Sequence, residues 1–427
     1  MAAPCRFTIP ASSSTTASCR SAPAFWRASS RSGWRPDRPV RDLRKARVTM
    51  DVTKIPLDAE RMLSGLRRWV ECESPTYDKP SVDRMMALAA EDMQAMGFEV
   101  ETIPGPEGLG NCVRGAFPHP RAGEPGILII GHLDTVHPLG TLEKLPFRRE
   151  GDICWGPGIC DMKGGNYIAI SAVKALAEMG VETPLPVHVL LTSDEEIGTP
   201  GTRALIEAEA AKHRYILVPE PAWARNTVVT GRYAIARYHL TAMGRPSHAG
   251  AALKAGQSAV KMMARQLIAI EDMTDEDCTF SVSVMHGGQW VNCVPTIARA
   301  ECLSMAKRQE DLDRGTENIL AFDRREADGT GFVVEKSVVR PVWEASAGTM
   351  ELYERVRRIG NALGFDLAHA SEGGGSDGNF TGAMGLPTLD GLGVVGADVH
   401  TLNEHIEVSS LVSRGRLLGG LLAELGA

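Results

Sequence analysis

Apolar positions recur along the chain at two spacings, and the switches between them mark its elements. From Leu57 to Met96 they return every three or four residues, as in MLSGLRRWV and VDRMMALAAEDMQAMG, each closed by a turn signal. That spacing predicts two helices. FEVETI, CVRGAF and GILIIG then read as short strands, followed by helix KGGNYIAISAVKALAEMG, strand VHVLLT, helix TRALIEAEAAK and strand YILVPE. Strands alternating with helices predict a three-layer α/β core on a mainly parallel sheet.

After Pro221 the rhythm changes. Strand TVVTGRYAIARYHLTA, helix GQSAVKMMARQLIAIEDM, strands TFSVSVMHGGQW and TIARAECLSMA, helix DLDRGTENILAFDR and strand GFVVEKSVVRPV form a β-α-β-β-α-β order. This is the plan of a self-contained α+β unit, so residues 227–342 read as an insertion between 50–226 and 343–427. The tail resumes the first pattern with helix MELYERVRRIGNALG, a Gly-rich loop, short apolar strands and closing helix SLVSRGRLLGGLLAEL.

Composition narrows this picture. With 427 residues and 43 % hydrophobic content the chain can bury a large core, and no window approaches the roughly 18 uninterrupted apolar residues of a membrane span. The net charge of -7 hides an asymmetry: residues 1–49 carry ten Arg or Lys against two Asp, a balance of +8 that leaves -15 elsewhere. The acidic remainder argues against nucleic acid as a partner. Segment 1–49, rich in Ser, Arg and Pro and without periodicity, reads as a disordered or non-native extension preceding a start at Met50. Its composition resembles a transit peptide, with organellar import the lesser alternative. Nine scattered cysteines without a C-x-x-C pair suggest neither a disulfide framework nor a cysteine zinc site, and fit a reduced, cytoplasmic protein.

Functional groups in open α/β sheets gather at the carboxyl ends of strands. Here GILII ends in Gly131-His132-Leu133-Asp134, the loop before the next helix carries Asp161, VHVLLT ends in Asp194-Glu195-Glu196, YILVP ends in Glu220, and GADVHTLNEH supplies His400. Singly, each has a plainer explanation: a hydrogen-bonded His, an acidic cap, a solvated turn. Together, two imidazoles and several carboxylates in one cleft would repel unless cations neutralised them. Nitrogen and oxygen ligands without cysteine suit zinc, with cobalt or manganese as substitutes, and are enough for two ions sharing a carboxylate. The His132-x-Asp134 spacing places both side chains on one side of an extended segment, so Asp134 can fix the His132 tautomer from behind. The Gly373–Asp377 loop lets backbone N–H groups approach a ligand such as a carboxylate.

GHLDTV, GPGICDMKGGN, TSDEEIGTPG, VPEP, RPSHAGA, EGGGSDGNF and the late His400 resemble, in order, the motifs of the zinc metallopeptidase family of aminoacylase, acetylornithine deacetylase, succinyl-diaminopimelate desuccinylase and glutamate carboxypeptidase. The resemblance covers residues 57 to 425. It implies a dinuclear zinc catalytic domain (50–226 and 343–427) with an inserted lid and dimerisation domain (227–342). It also implies Asp161 as bridging ligand, His132 and Glu220 on one ion, Glu196 and His400 on the other, Glu195 as general base and Asp134 in support. His248 would stabilise the oxyanion, often from a partner subunit; Asn292, Gly374, Gly375 and Ser376 would hold substrate. The activity implied is hydrolysis of an amide bond in an N-acyl amino acid, small peptide or glutamate conjugate, by a homodimer.

One position departs from the pattern. Relatives that cleave beside a free carboxylate carry an Arg where this chain has Met305, and a bidentate clamp is thereby lost. Of the nearby cations only Lys307 shares the Met305 face. That departure motivates an alternative reading, a metal-retaining scaffold without turnover. A dinuclear phosphoesterase is a third reading, which would leave the SHAGA motif unexplained.

Overall fold

The computed structural model describes residues 50–106, 108–222 and 226–426. Segment 1–49, with the reading of it as an extension, lies outside the described residues. Asp58 and Asp78 open helices α1 (Ala59–Val70) and α2 (Lys79–Ala95), their carboxylates accepting from the N–H of Arg61 and Ser81. Such caps satisfy donors otherwise left free at a helix start. Strands β1 (Glu99–Ile103), β2 (Cys112–Ala116), β3 (Ile127–His132), β4 (Arg148–Glu150) and β5 (Ile153–Trp155) follow. Then come α3 (Gly164–Glu178), β6 (Val187–Thr192), α4 (Arg203–Ala210) and β7 (Tyr215–Leu217).

Further along lie β8 (Thr227–Arg232), β9 (Ala234–Met243), α5 (Ala259–Glu271), β10 (Cys278–Gly287), β11 (Ile297–Ala306), α6 (Gln309–Leu320), β12 (Arg324–Arg325) and β13 (Gly331–Arg340). The tail holds α7 (Ala347–Ala362), β14 (Ala368–Glu372), α8 (Gly378–Ala383), β15 (Thr388–Leu389), β16 (Gly396–Ala397), β17 (His405–Glu407) and α9 (Val408–Glu424).

The main sheet runs β1-β2-β6-β3-β7-β15, parallel from β6 to β15 and antiparallel at β1 and β2. Its central strands are apolar on both faces because both are covered. Ile127 and Ile129 of β3 join the core beneath α1, α2, α3, α7 and α9, whereas Leu128 and Ile130 pack on the other face with Ile206 and Ala210 of α4. Alternate residues thus serve two helical layers, which is the three-layer α/β arrangement expected.

The second sheet, β10-β11-β9-β13-β12, is antiparallel throughout and one-sided. Along β9, Ala234, Ala236, Tyr238, Leu240 and Ala242 are all buried and the residues between them are not. They pack with Met263 and Ile270 of α5 and Leu312 and Ile319 of α6 in a separate core. The expected β-α-β-β-α-β order is present as β9-α5-β10-β11-α6-β13, with the two-residue β12 added between α6 and β13.

Two local expectations change. The continuous strand expected over TVVTGRYAIARYHLTA is two: β8 pairs in parallel with β14 and places Val228 in the main core, while β9 belongs to the antiparallel sheet. The antiparallel sheet therefore begins at Ala234, whereas Thr227–Arg232 pairs elsewhere. The apolar pattern masks the crossing because it continues across Tyr233. A small sheet of β16-β17-β5-β4 was not expected, its strands being only two or three residues long. Among the described residues, no helix is long and apolar enough to cross a membrane.

Gly131 shows how tightly β3 is seated beside the site. A Cβ there would lie 1.9 Å from Oδ1 of Asn166, whose amide nitrogen donates to the His132 carbonyl at 2.7 Å. Overpacking of this kind costs about 1–3 kcal/mol. Gly131→Ala should lose stability by that amount in urea unfolding; an unchanged midpoint would contradict this account of the strand.

Candidate functional site

Three adjacent parallel strands end beside one another, and the candidate residues sit just past their carboxyl ends. His132 closes β3, Glu195 and Glu196 form a tight turn after β6, and Glu220 follows β7. Asp161 lies in the turn Ile159–Lys163 that leads into α3, before a cis peptide to Met162. His400 comes from the loop between β16 and β17 with φ of 63°. That left-handed conformation is uncommon outside glycine and persists where the surroundings hold it.

Asp161 is the centre of the arrangement. Its Oδ1 lies 3.2 Å from His132 Nε2, and its Oδ2 lies 3.2 Å from His400 Nε2. His400 Nε2 is also 3.2 Å from Glu196 Oε2, and His132 Nε2 is 3.9 Å from Glu220 Oε1. Ligand atoms of His132, Asp161 and Glu196 all fall within 4.8 Å of one another. One carboxylate thus faces an imidazole on each side, each imidazole with a further carboxylate. The set of nitrogen and oxygen donors could hold one or two divalent cations.

The electrostatics fit that description. Burial, aided by the Asp161 charge, pushes the Glu196 carboxyl up to about 8 and the Glu220 carboxyl well above its usual range. Hydrogen bonds to Asp161 and Glu196 raise half-exposed His400 to about 11. For His132, burial favours the neutral ring, but the bonds to Asp134 and Asp161 win and hold its pKa well above the ordinary value. Asp161 itself is held low against its burial by its two imidazole partners. Protons are thus retained in the space where positive charge is needed.

The supporting contacts are specific. His132 Nδ1 meets the Asp134 carbonyl at 3.0 Å and its carboxylate at 3.4 Å, so the backbone oxygen shares the tautomer-fixing role expected of the side chain. The buried Asp134 carboxylate also accepts from Thr76 Oγ1 (2.7 Å) and from the N–H groups of Glu195 and Glu196 (3.2 Å each). It therefore ties the turn after β6 to the end of β3. Asp194 turns away from this group, accepting from the Gly201 and Thr202 N–H groups and the Thr202 hydroxyl.

Two important residues escaped the sequence reading. Glu404, fully buried, accepts from the N–H groups of Gly158 (3.0 Å), Cys160 (2.9 Å) and Asp161 (3.1 Å) and pairs with His137 Nε2 (2.7 Å). Gly158, with φ of 68°, makes the turn that aims these donors inward. Arg340, at the end of β13, reaches Glu195 Oε1 (2.7 Å), the Glu195 carbonyl (2.9 Å), Thr199 Oγ1 (2.9 Å) and Asp377 Oδ1 (3.2 Å). The only local hint was the acid in TLNEH; both act through contacts remote in sequence.

The remaining candidates lie apart from the carboxylates. His248 is exposed in the inserted unit, its Nδ1 accepting from Gly250 and Ala251 of its own turn. Asn292 is exposed beside it, its carbonyl accepting from Ala249 N–H. Among the described residues neither contacts the acidic group. Gly374 is exposed with its carbonyl on Arg232, and a Cβ at Gly375 would meet Arg340 Cδ at 2.7 Å. Ser376 is buried with its donors spent within the fold: the N–H on Asn379 Oδ1 and the hydroxyl on Asp390. Met305 is half-buried on β11, and Lys307, the cation on the same face, is paired with Asp277 at 3.2 Å.

The chain is also similar to known proteins. The sequence profile of Peptidase family M20/M25/M40 matches residues 128–424. Carboxypeptidase G2 of Pseudomonas sp. (strain RS-16) is 29 % identical over 380 residues, covering 86 % of this chain and 89 % of the relative. Succinyl-diaminopimelate desuccinylase of Halorhodospira halophila is 28 % identical over 356 residues, covering 76 % and 88 %. An M20 family metallo-carboxypeptidase from Sulfolobus solfataricus superimposes with a TM-score of 0.68 at 14 % identity, covering 86 % of this chain and 99 % of the other, and shows the shared fold.

Two measurements follow from the geometry. Cations entering the site must displace the protons held by His400 and Glu196, so metal affinity should rise with pH from 6 to 8. Calorimetry in buffers of different ionisation enthalpy should show net proton release, and proton-neutral binding would contradict this reading. Glu404→Ala should weaken metal binding by about 10–100-fold with the circular dichroism spectrum retained, since its partners orient Asp161; unchanged affinity would remove Glu404 from the site.

Proposed function

Taking as premise that the chain belongs to Peptidase family M20/M25/M40, and so is a metallohydrolase of peptide or N-acyl amino acid bonds, we propose a dinuclear zinc amide hydrolase. The substrate is an N-acyl amino acid, small peptide or glutamate conjugate. Cobalt or manganese could replace zinc. The observation that carries the proposal is Asp161, whose two oxygens face His132 and His400 at 3.2 Å each. Asp161 would be shared between the two cations, with His132 and Glu220 holding one and Glu196 and His400 the other.

Cations held by these residues would supply polarisation of the amide carbonyl and acidification of a water. Glu195 then accepts the water's proton and delivers it to the departing amine nitrogen. Its Oε1 is engaged by Arg340, which leaves Oε2 to carry that proton. Burial raises the Glu195 carboxyl against the opposing charges of Arg340 and His132, which favours proton uptake. Asp134 positions the backbone of Glu195 and holds the ring of His132.

His248 is assigned to the oxyanion and Asn292, with Gly374, Gly375 and Ser376, to substrate. These assignments suit a homodimer in which the inserted unit of one subunit serves its partner. The edge position of β10 and the exposed Ile268, Val284 and Met285 support pairing through that unit. The described cysteines are free, in keeping with the reducing cytoplasm proposed for the protein. The assembled ligands and base favour turnover over a metal-retaining scaffold.

Glu195→Ala should retain two zinc equivalents and lose roughly 10²–10⁴-fold in kcat on an amide substrate. Metal content by mass spectrometry and initial rates together check this; an unchanged rate would overturn the mechanism.

A further inference from the structure

A cavity of about 500 Å³ opens beside His400, between the segment after Asp134 and the loop that bears His400. Its size is that of a small-molecule site. Three of its walls are side chains that water would otherwise meet: Val136 is 41 % exposed, Leu139 53 % and Leu402 51 %. Apolar exposure gathered around one opening marks a surface made to be covered. Lys144 stands in the same lining, exposed and without an acidic partner among the described residues.

The wall is built rather than loose. Glu73 accepts from the N–H groups of Gly140 (2.8 Å) and Leu142 (2.9 Å), and the Thr141 hydroxyl donates to the Pro138 carbonyl at 2.7 Å. His137 in the same wall pairs with Glu404, the carboxylate that also holds the Asp161 N–H. One buried group thus fixes both the cavity and the central ligand, so a molecule filling the cavity is held in register with the reacting centre.

Resting on the hydrolase reading above, we propose that this cavity receives the substituent on the His400 side of the scissile amide. That substituent is an apolar chain or ring ending in an anion, with Val136, Leu139 and Leu402 covering the body and Lys144 meeting the charge. Lys144 is a specificity residue, independent of the arginine clamp replaced by Met305. None of the residues lining this cavity belongs to the inserted unit.

The test compares matched pairs on the zinc-loaded full chain: N-benzoylglycine against N-(4-carboxybenzoyl)glycine, and N-acetylphenylalanine against N-acetyl-4-carboxyphenylalanine. In one pair the added carboxylate should raise kcat/KM by roughly two- to five-fold, the range for an exposed ion pair. Lys144→Ala should bring that ratio to about one, Lys144→Glu should invert it, and 0.5 M salt should shrink it. The same pairs titrated calorimetrically into zinc-loaded Glu195→Ala protein read binding without turnover, and the preference should again vanish in the double variant with Lys144→Ala. Ratios and affinities indifferent to Lys144 overturn the proposal. Binding that depends on Lys144 without turnover by the parent enzyme supports the pocket and defeats the N-acyl amino acid substrate of the proposed function instead.

Discussion

Repulsion among buried carboxylates is the constraint on which the rest of this structure turns. Asp161, Glu195, Glu196 and Glu220 converge where three strands end, each no more than 14 % exposed. Desolvated like charges at such separations are sustained only by protons or cations. The retained protons on His400 and Glu196 are one answer, and the proposed pair of zinc ions is the other. The second would convert the cost of assembling the acids into a reactive centre.

Around that centre, separate carboxylates bind backbone rather than ligand. Asp134 joins the end of β3 to the turn after β6, and Glu404 gathers the N–H groups of the Asp161 loop. Arg340 reaches from the last strand of the antiparallel unit to Glu195. Neighbouring residues Asp194, Glu195 and Glu196 consequently face three different partners: Thr202, Arg340 and His400. A charged tripeptide after a buried strand is thus divided by its turn into a brace, a base and a ligand in the proposed chemistry.

Much of this was legible in the sequence because strand ends are marked by a change of pattern. The apolar runs of β3 and β6 give way to polar residues at His132 and at Thr192, two residues before Asp194, so the groups beyond them could be assigned to one edge of the sheet. The antiparallel unit was legible from its element order. Its starting point was not, since apolar alternation runs on from β8 into β9 while the hydrogen-bond partner changes. Glu404 and Arg340 left no usable pattern: the first acts on N–H groups some 240 residues away, the second across units. The strands β4, β5, β16 and β17 are too short to show an alternation, and only their pairing identifies the sheet.

The central proposal is that Asp161 would be shared by two cations. X-ray absorption of the zinc-loaded protein tests it most directly. The account predicts a zinc–zinc scattering path at about 3.5–4 Å, lost when Asp161 is replaced by Ala. Two well-separated or single zinc ions in the unaltered protein, with nitrogen and oxygen neighbours but no second metal, would contradict it.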